Sequence, residues 1–212
     1  MDNGFLPKAG GFRKLKAYVL AEAIFDLTAV FVRRFVPSKS RTCDQMEQAA
    51  RSGKQNIAEG SMASATSKET EIKLTNVAKA SLEELKVDYD DYLRRNNLPL
   101  WEADYERQMK LKEYLRSEDF LNNPLRYAET MDAEMFCNMC ITLICQDQAL
   151  LGKLILAQQM QFEENGGIRE LMSRVRREKF KKKTARTART ARTARTSRTA
   201  RPGRSGAFGP CR

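Results

Sequence analysis

The sequence predicts an all-α protein: an antiparallel up-down four-helix bundle, then a helical extension and a disordered basic tail. Apolar residues recur at three- and four-residue steps through several long segments, which is the spacing of a helix face. The 212 residues include only six prolines and eleven glycines, and short polar stretches separate the segments. We expect the bundle over residues 12–117, the extension over 124–180 and the tail over 181–212.

The first two predicted helices cover residues 12–36 and 42–59. The first has apolar residues at helical steps, namely Leu20, Ile24, Leu27, Phe31 and Phe35. Further apolar residues widen this stripe, which predicts contact with more than one neighbouring helix or with another subunit. The second helix carries Met46, Ala50, Gly53 and Ile57 on one face. Gly60 follows it and is predicted as its C-terminal stop.

The third and fourth predicted helices cover residues 68–95 and 100–116. The third has a stripe formed by Leu74, Val77, Ser81, Leu85, Tyr89 and Tyr92. The fourth has a weaker one, formed by Trp101, Tyr105, Gln108, Lys112 and Leu115. Because the connections between the helices are short, neighbours should run antiparallel.

The extension is predicted as a long helical segment over residues 125–162 and a short basic helix over 168–180. Tandem triplets, mostly Thr-Ala-Arg, then run from Thr184 to Arg201. This repeat has no apolar face and cannot bury enough surface to offset the entropy of ordering. We therefore expect the tail to be disordered on its own.

The charge is divided very unevenly along the chain. From Arg174 to Arg212 there are fifteen basic residues and one acidic residue, a net charge of +14. The first 173 residues carry 23 basic and 26 acidic residues, a net charge of −3. The overall charge of +11 therefore belongs to the C-terminal part, and it suggests an anionic partner.

Catalysis is not expected, because the sequence has no histidine. Histidine is the commonest general base and the commonest zinc ligand, so its absence removes Ser-His-Asp and Cys-His chemistry. Adjacent carboxylates such as Glu83 and Glu84 point about 100° apart on a helix and make a poor acid-base pair. We predict a non-enzymatic protein with no cofactor.

The five cysteines suggest a reducing compartment rather than disulfides. Cys137 and Cys140 form a Cys-x-x-Cys pair, but no second pair and no histidine complete a zinc site. They lie on an apolar helix, where free cysteine acts as a small core residue, so no metal site is predicted. The first residues lack a basic region, and Glu22 and Asp26 interrupt the apolar run 17–32. We expect a cytoplasmic protein with no membrane partner.

A cluster of basic residues should form at one end of the bundle. In an up-down bundle the first and third connections lie at the same end, which would collect Arg33, Arg34, Lys39, Arg41, Arg94 and Arg95; we call this set the rim. The rim could neutralise several phosphates. Alternatively, these arginines only complement the dipoles of helix C-termini.

The repeat tail also has two interpretations. Evenly spaced arginines, including Arg186, Arg189, Arg192 and Arg195, would bind phosphates without sequence preference and with strong salt dependence. The repeat could equally be an incidental product of repetitive coding DNA. It has no aromatic residues for base stacking, so base-specific recognition by the tail is not expected.

Residues 43–60 read CDQMEQAARSGKQNIAEG and resemble the signature of the 23S rRNA intervening-sequence protein family. The core of the signature is Asn56-Ile57-Ala58-Glu59-Gly60. The stretch Ala80-Ser81-Leu82-Glu83-Glu84-Leu85 is similar to a second family motif. For Asn56, Glu59, Gly60, Ser81 and Glu84 we expect a mainly structural role, with RNA or subunit contact as the alternative.

The resemblance implies a four-helix bundle that assembles into a ring, typically a pentamer, without catalysis. Some relatives are encoded inside ribosomal RNA genes, and others are accessory factors of diversity-generating retroelements that bind a reverse transcriptase and nucleic acid. Our first hypothesis is a homo-oligomeric RNA-binding accessory protein, with ribosomal RNA as one candidate target. The second is a protein-interaction scaffold, for example for a reverse transcriptase, with incidental nucleic-acid contact.

Overall fold

A computed structural model describes residues 10–199, except for the side chains of Asn165 and of residues 189–199. A 3-10 helix, Phe12–Lys14, comes first, and seven α-helices follow. They are α1 Lys16–Phe35, α2 Arg41–Ala63, α3 Lys68–Arg95, α4 Glu106–Tyr114, α5 Glu118–Asn122, α6 Ala133–Asn165 and α7 Ile168–Thr199. The predicted all-α class is confirmed for this part of the chain, which contains no strand.

Short polar side chains set the starts of three of the long helices, α2, α3 and α6. Ser40 precedes α2 and its hydroxyl accepts the backbone N–H of Thr42 at 3.2 Å. Ser67 does the same for Thr70 of α3 at 3.1 Å, and Asp132 for Met135 of α6 at 2.8 Å. Such N-caps satisfy backbone donors that have no partner within the helix.

The chain divides into two compact units, with the boundary between Gly167 and Ile168. In the first unit α1 packs against α2 and α6, and α3 packs against the same two helices. One continuous core results. Its fully buried members include Ile24, Leu27, Phe31, Met46, Ala50, Leu82, Leu85, Tyr89, Phe136, Met139, Leu143 and Leu151.

The fourth packing helix is α6 rather than the predicted helix at residues 100–116. That segment contains only the nine-residue α4, which buries Gln108 and Leu111 and packs on α6. Its apolar stripe is too weak to cover two neighbours, whereas every residue from Phe136 to Ile144 in α6 is buried. α6 also begins later than predicted, because residues 124–130 form turns.

Gly60 does not end α2, which continues to Ala63. The glycine is buried against α3, where an added Cβ would lie 3.3 Å from the carbonyl oxygen of Glu71 and 3.4 Å from Cβ of Leu74. At Gly53, two helical turns earlier, an added Cβ would lie 2.8 Å from Cδ2 of Leu82. These glycines therefore permit close approach of α2 to α3.

Substituting alanine for two helical glycines should change stability in opposite directions. Gly53→Ala gains up to about 1 kcal/mol of helix propensity but forces Leu82 to move in a full core, which costs about 1–3 kcal/mol. At Gly152 in α6 an added Cβ meets nothing within 4 Å, so Gly152→Ala should stabilise by about 0.5–1 kcal/mol. Urea unfolding would measure both, and stabilisation by both would contradict the close helix approach.

The second unit contains α7, which includes much of the repeat that we predicted to be disordered. Alanine, arginine and lysine all favour helix, and Thr184 and Thr187 donate to the carbonyl oxygens of Phe180 and Lys183 at 3.0 and 2.9 Å. None of the side chains in residues 168–188 is buried. Intrinsic propensity, rather than an apolar face, therefore accounts for this helix. The remainder of the predicted tail, from residue 200, lies outside the described residues.

Candidate nucleic-acid interface

Arg33 and Arg34, at the end of α1, are held by the turn that precedes α6. Arg33 pairs with Glu129. Arg34 donates through Nη1 to the carbonyl oxygen of Ala128 and through Nη2 to that of Met131 at 2.8 Å. Its guanidinium also lies 4.5 Å from the ring centroid of Phe35. These two members of the rim thus join α1 to the turn.

Arg94 and Arg95 share one acidic partner at the end of α3. Their Nη2 atoms lie 2.7 and 3.2 Å from the two carboxylate oxygens of Asp91. The hydrogen bond from Arg94 lowers the pKa of Asp91 below its usual value, chiefly by stabilising the carboxylate. Both arginines also lie in the last turn of α3, where a positive charge complements the helix dipole. Their charge is therefore partly neutralised locally.

Lys39 and Arg41 are the remaining members of the rim. Both are exposed, and in the described part of the chain neither forms an ion pair with an acidic residue. Of the six cations of the rim, three have acidic partners and Arg34 is held by backbone carbonyl oxygens. Lys39 and Arg41 are therefore the two exposed cations that have neither kind of partner among the described residues.

The signature residues form hydrogen bonds within α2 and one between α2 and α3. Asn56 donates through Nδ2 to the carbonyl oxygen of Ser52 at 2.8 Å and to its hydroxyl at 3.1 Å. The hydroxyls of Ser52 and Ser81 share a hydrogen bond of 2.9 Å across the two helices. Glu59 and Glu84 are exposed. Asn56 and Ser81 thus both hydrogen-bond to Ser52, while the two glutamates are available on the surface.

Cys137 and Cys140 are both buried in the core face of α6. Burial raises the pKa of the Cys140 thiol to about 12 and raises that of Cys137 further. A thiol with so high a pKa stays protonated at neutral pH, and the thiolate is the form that binds metal or attacks. No group of three metal-ligating side chains occurs within the described residues.

α7 carries the strongest charge of any described helix. Its 32 residues include thirteen lysines and arginines and only two acidic residues, Glu170 and Glu178. The predicted tail residues Arg186, Arg189, Arg192 and Arg195 all lie within it. Because three residues turn a helix by about 300°, successive arginines of the repeat are displaced by about 60° around the axis. The positive charge is therefore distributed around the helix.

Sequence reasoning assigned no role to two further cations, Lys112 and Arg116. They lie four positions apart at and just beyond the end of α4, beside a groove against α6. The sequence contained a signal for this polar site, because Gln108 and Lys112 interrupt the weak apolar stripe of the predicted fourth helix.

Within the stretch Ala133–Ala188, one 18-residue window is apolar enough to cross a membrane, a property that buried helices of soluble proteins share. Comparisons with family models, with curated proteins and with solved structures found no match.

Proposed function

We propose that this chain is a non-catalytic RNA-binding accessory protein of the cytoplasm, with α7 as its main phosphate-binding element. We further propose that α1, α2, α3 and α6 form an up-down bundle of the type that the signature resemblance implies. The bundle would assemble into a homo-oligomer, so that each RNA molecule meets several copies of α7. Ribosomal RNA is one candidate target.

The observation that carries this proposal is the charge of α7. Thirteen cations and two acids along 32 residues give an excess of eleven positive charges over a helix of about 48 Å. Binding of such an element to nucleic acid releases condensed counterions, which supplies affinity without sequence preference. Because the repeat distributes its arginines around the axis, α7 can meet phosphates on several sides, as a folded RNA presents them.

The proposal predicts a steep salt dependence that belongs to the repeat. In a full-length variant with glutamine at Arg186, Arg189, Arg192 and Arg195, the slope of log affinity against log salt should fall by about three. Affinity for single-stranded RNA should fall more than tenfold. Fluorescence anisotropy between about 50 and 200 mM salt would measure both, with duplex DNA compared in parallel.

A matched control is the full-length variant Lys39→Gln with Arg41→Gln, which removes two exposed cations of the rim that lack acidic partners among the described residues. This control should lower the slope of log affinity against log salt by no more than half as much as the repeat variant does. An unchanged slope in the repeat variant would overturn the role of α7. Failure of the wild-type protein to bind either nucleic acid would leave the protein-interaction scaffold as the better hypothesis. Light scattering on the same samples would measure the oligomeric state.

A further inference from the structure

A groove of about 420 Å³ lies between α6 and the segment that contains α4. This volume lies within the range typical of small-molecule sites. Part of its wall is apolar, formed by Leu100, Trp101, Ile141 and Ala149. The rest is polar and includes two glutamines, Gln108 and Gln146, and two cations, Lys112 and Arg116.

A chain of hydrogen bonds fixes the orientation of the Gln108 amide. The Thr142 hydroxyl donates to the carbonyl oxygen of Asn138 at 2.7 Å, so its oxygen is free to accept. Nε2 of Gln108 donates to that oxygen at 3.0 Å. Oε1 of Gln108 must therefore point away from Thr142, and it has no hydrogen-bond partner among the described residues. The residue is 9% exposed, so one residue that lines the groove has a buried, unused acceptor.

Gln146 supplies the complementary group. Its Nε2 atom is buried and also lacks a hydrogen-bond partner among the described residues. A buried donor or acceptor without a partner is costly, and such groups are rare in folded proteins. Two residues that line the groove, one on α4 and one on α6, therefore have between them one unsatisfied acceptor and one unsatisfied donor.

The cations near the groove differ in whether they form ion pairs with acidic residues. Arg107 lies 3.5 Å from a carboxylate oxygen of Glu134, and Lys110 lies 2.6 Å from one of Glu106. Neither of these cations lines the groove. Lys112 and Arg116, which do line it, form no ion pair with an acidic residue in the part of the chain that the structure describes.

We infer that this groove binds a nucleotide unit, with the base edge at Gln108 and Gln146 and the phosphate at Lys112 and Arg116. A nucleobase has apolar faces and an edge with both donors and acceptors, and proteins read this edge by hydrogen bonding. The two glutamine atoms are covered in the free protein. Side chains around the groove must therefore change rotamer on binding, as is common at binding sites.

The inference rests in part on the proposed function, because an unpaired base of bound RNA is one source of the nucleotide. A free nucleoside monophosphate is the other source. In either case the groove would add recognition of the base to the phosphate affinity of α7, which has no aromatic side chain within its repeat for stacking.

Cys145 lines the groove and is exposed, so its alkylation reports on occupancy. In the full chain, each of the four nucleoside 5′-monophosphates would be tested for slowing alkylation of Cys145, measured by peptide mass spectrometry. Cys43, which lies on α2 and outside the groove, is the internal control. We expect at least one monophosphate to protect Cys145 severalfold and to leave Cys43 unchanged.

Substitutions test the assigned contacts. Gln108→Met and Lys112→Gln should each lower the affinity for the protecting nucleotide about tenfold, as measured by isothermal titration calorimetry. Lys110→Gln, a neighbouring lysine outside the groove, should leave its affinity unchanged. If Gln108→Met does not fold, Gln146→Met serves in its place. Lack of protection by every monophosphate, or equal weakening by Lys110→Gln, would overturn the inference.

A second set of measurements distinguishes the two sources of the ligand. It also distinguishes failure of the groove proposal from failure of the α7 proposal. Protection of Cys145 by single-stranded RNA as well as by a monophosphate would identify a base of RNA as the occupant. Protection by the monophosphate alone would identify a free nucleotide. The repeat variant should still bind the monophosphate, so failure of the α7 proposal and failure of the groove proposal give different results.

Discussion

Replacing Asp147 with asparagine should make the protein several kcal/mol more stable at pH 8 and remove much of the pH dependence of its stability. Asp147 lies on the core face of α6 and is 0% exposed. Neither carboxylate oxygen has a hydrogen-bond partner among the described residues. Burial raises the pKa of Asp147 to about 8, because desolvation disfavours the charged form.

The sign of the effect follows from proton binding. The unfolded chain loses the Asp147 proton near its ordinary pKa of 3.8, whereas the folded protein keeps it until about pH 8. Between these values the folded state binds more protons, so the free energy of unfolding falls as pH rises. Four pK units correspond to about 5 kcal/mol. Asp147→Asn cannot titrate, so it should gain this amount progressively from pH 4 to pH 8.

Urea unfolding of the wild type and of Asp147→Asn across this pH range would measure the difference directly. Asp91→Asn is a control of opposite sign, because the Asp91 pKa is lowered by the hydrogen bond from Arg94. That variant should lose stability at neutral pH and show no loss in acid below the pKa of Asp91. Parallel stability curves for the wild type and Asp147→Asn would refute a protonated, buried Asp147.

The periodic apolar spacing predicted α1 and α3 to within a few residues, because each buries a stripe whose members are close in sequence. The same spacing indicates that Asp147 lies on the buried face of α6, because it stands midway between Leu143 and Leu151 at four-residue steps. The apolar spacing does not predict whether Gly60 ends α2. A glycine after an apolar stripe can end a helix or admit a neighbouring helix, and only the position of Glu71 and Leu74 decides between them.

The candidate interface was predictable as charge but not as geometry. The positive charge of the C-terminal part follows from counting residues, and it now lies largely on α7. The rim is different in part, because Arg94 and Arg95 pair locally with Asp91, whereas the partners of Arg33 and Arg34 are distant in sequence. Arg33 pairs with Glu129, 96 positions away, and Arg34 donates to carbonyl oxygens of the turn at 128–131. Local spacing contains no information about such contacts.

Truncating Phe136 should destabilise the whole first unit, although sequence analysis placed this residue in the extension. Phe136 is fully buried, and its ring centroid lies 5.5 Å from that of Phe31 and 6.0 Å from that of Phe35. Phe31 in turn contacts Tyr89 of α3 at 4.9 Å. Phe136→Ala therefore opens a cavity where α1, α3 and α6 meet, and such a change costs about 3–5 kcal/mol.

The control is Phe180→Ala on α7, whose side chain is 72% exposed and whose loss should change stability by no more than about 0.5 kcal/mol. Combining Phe136→Ala with Phe31→Ala should show a coupling energy of about 0.5–3 kcal/mol, as expected for residues in contact. Unfolding of the first unit should remain a single transition in every variant. If Phe136→Ala separated the unfolding into two transitions, α6 would be an appendage to a smaller core formed by α1, α2 and α3. A single transition shifted by several kcal/mol would mean that the core depends on α6 as its fourth helix.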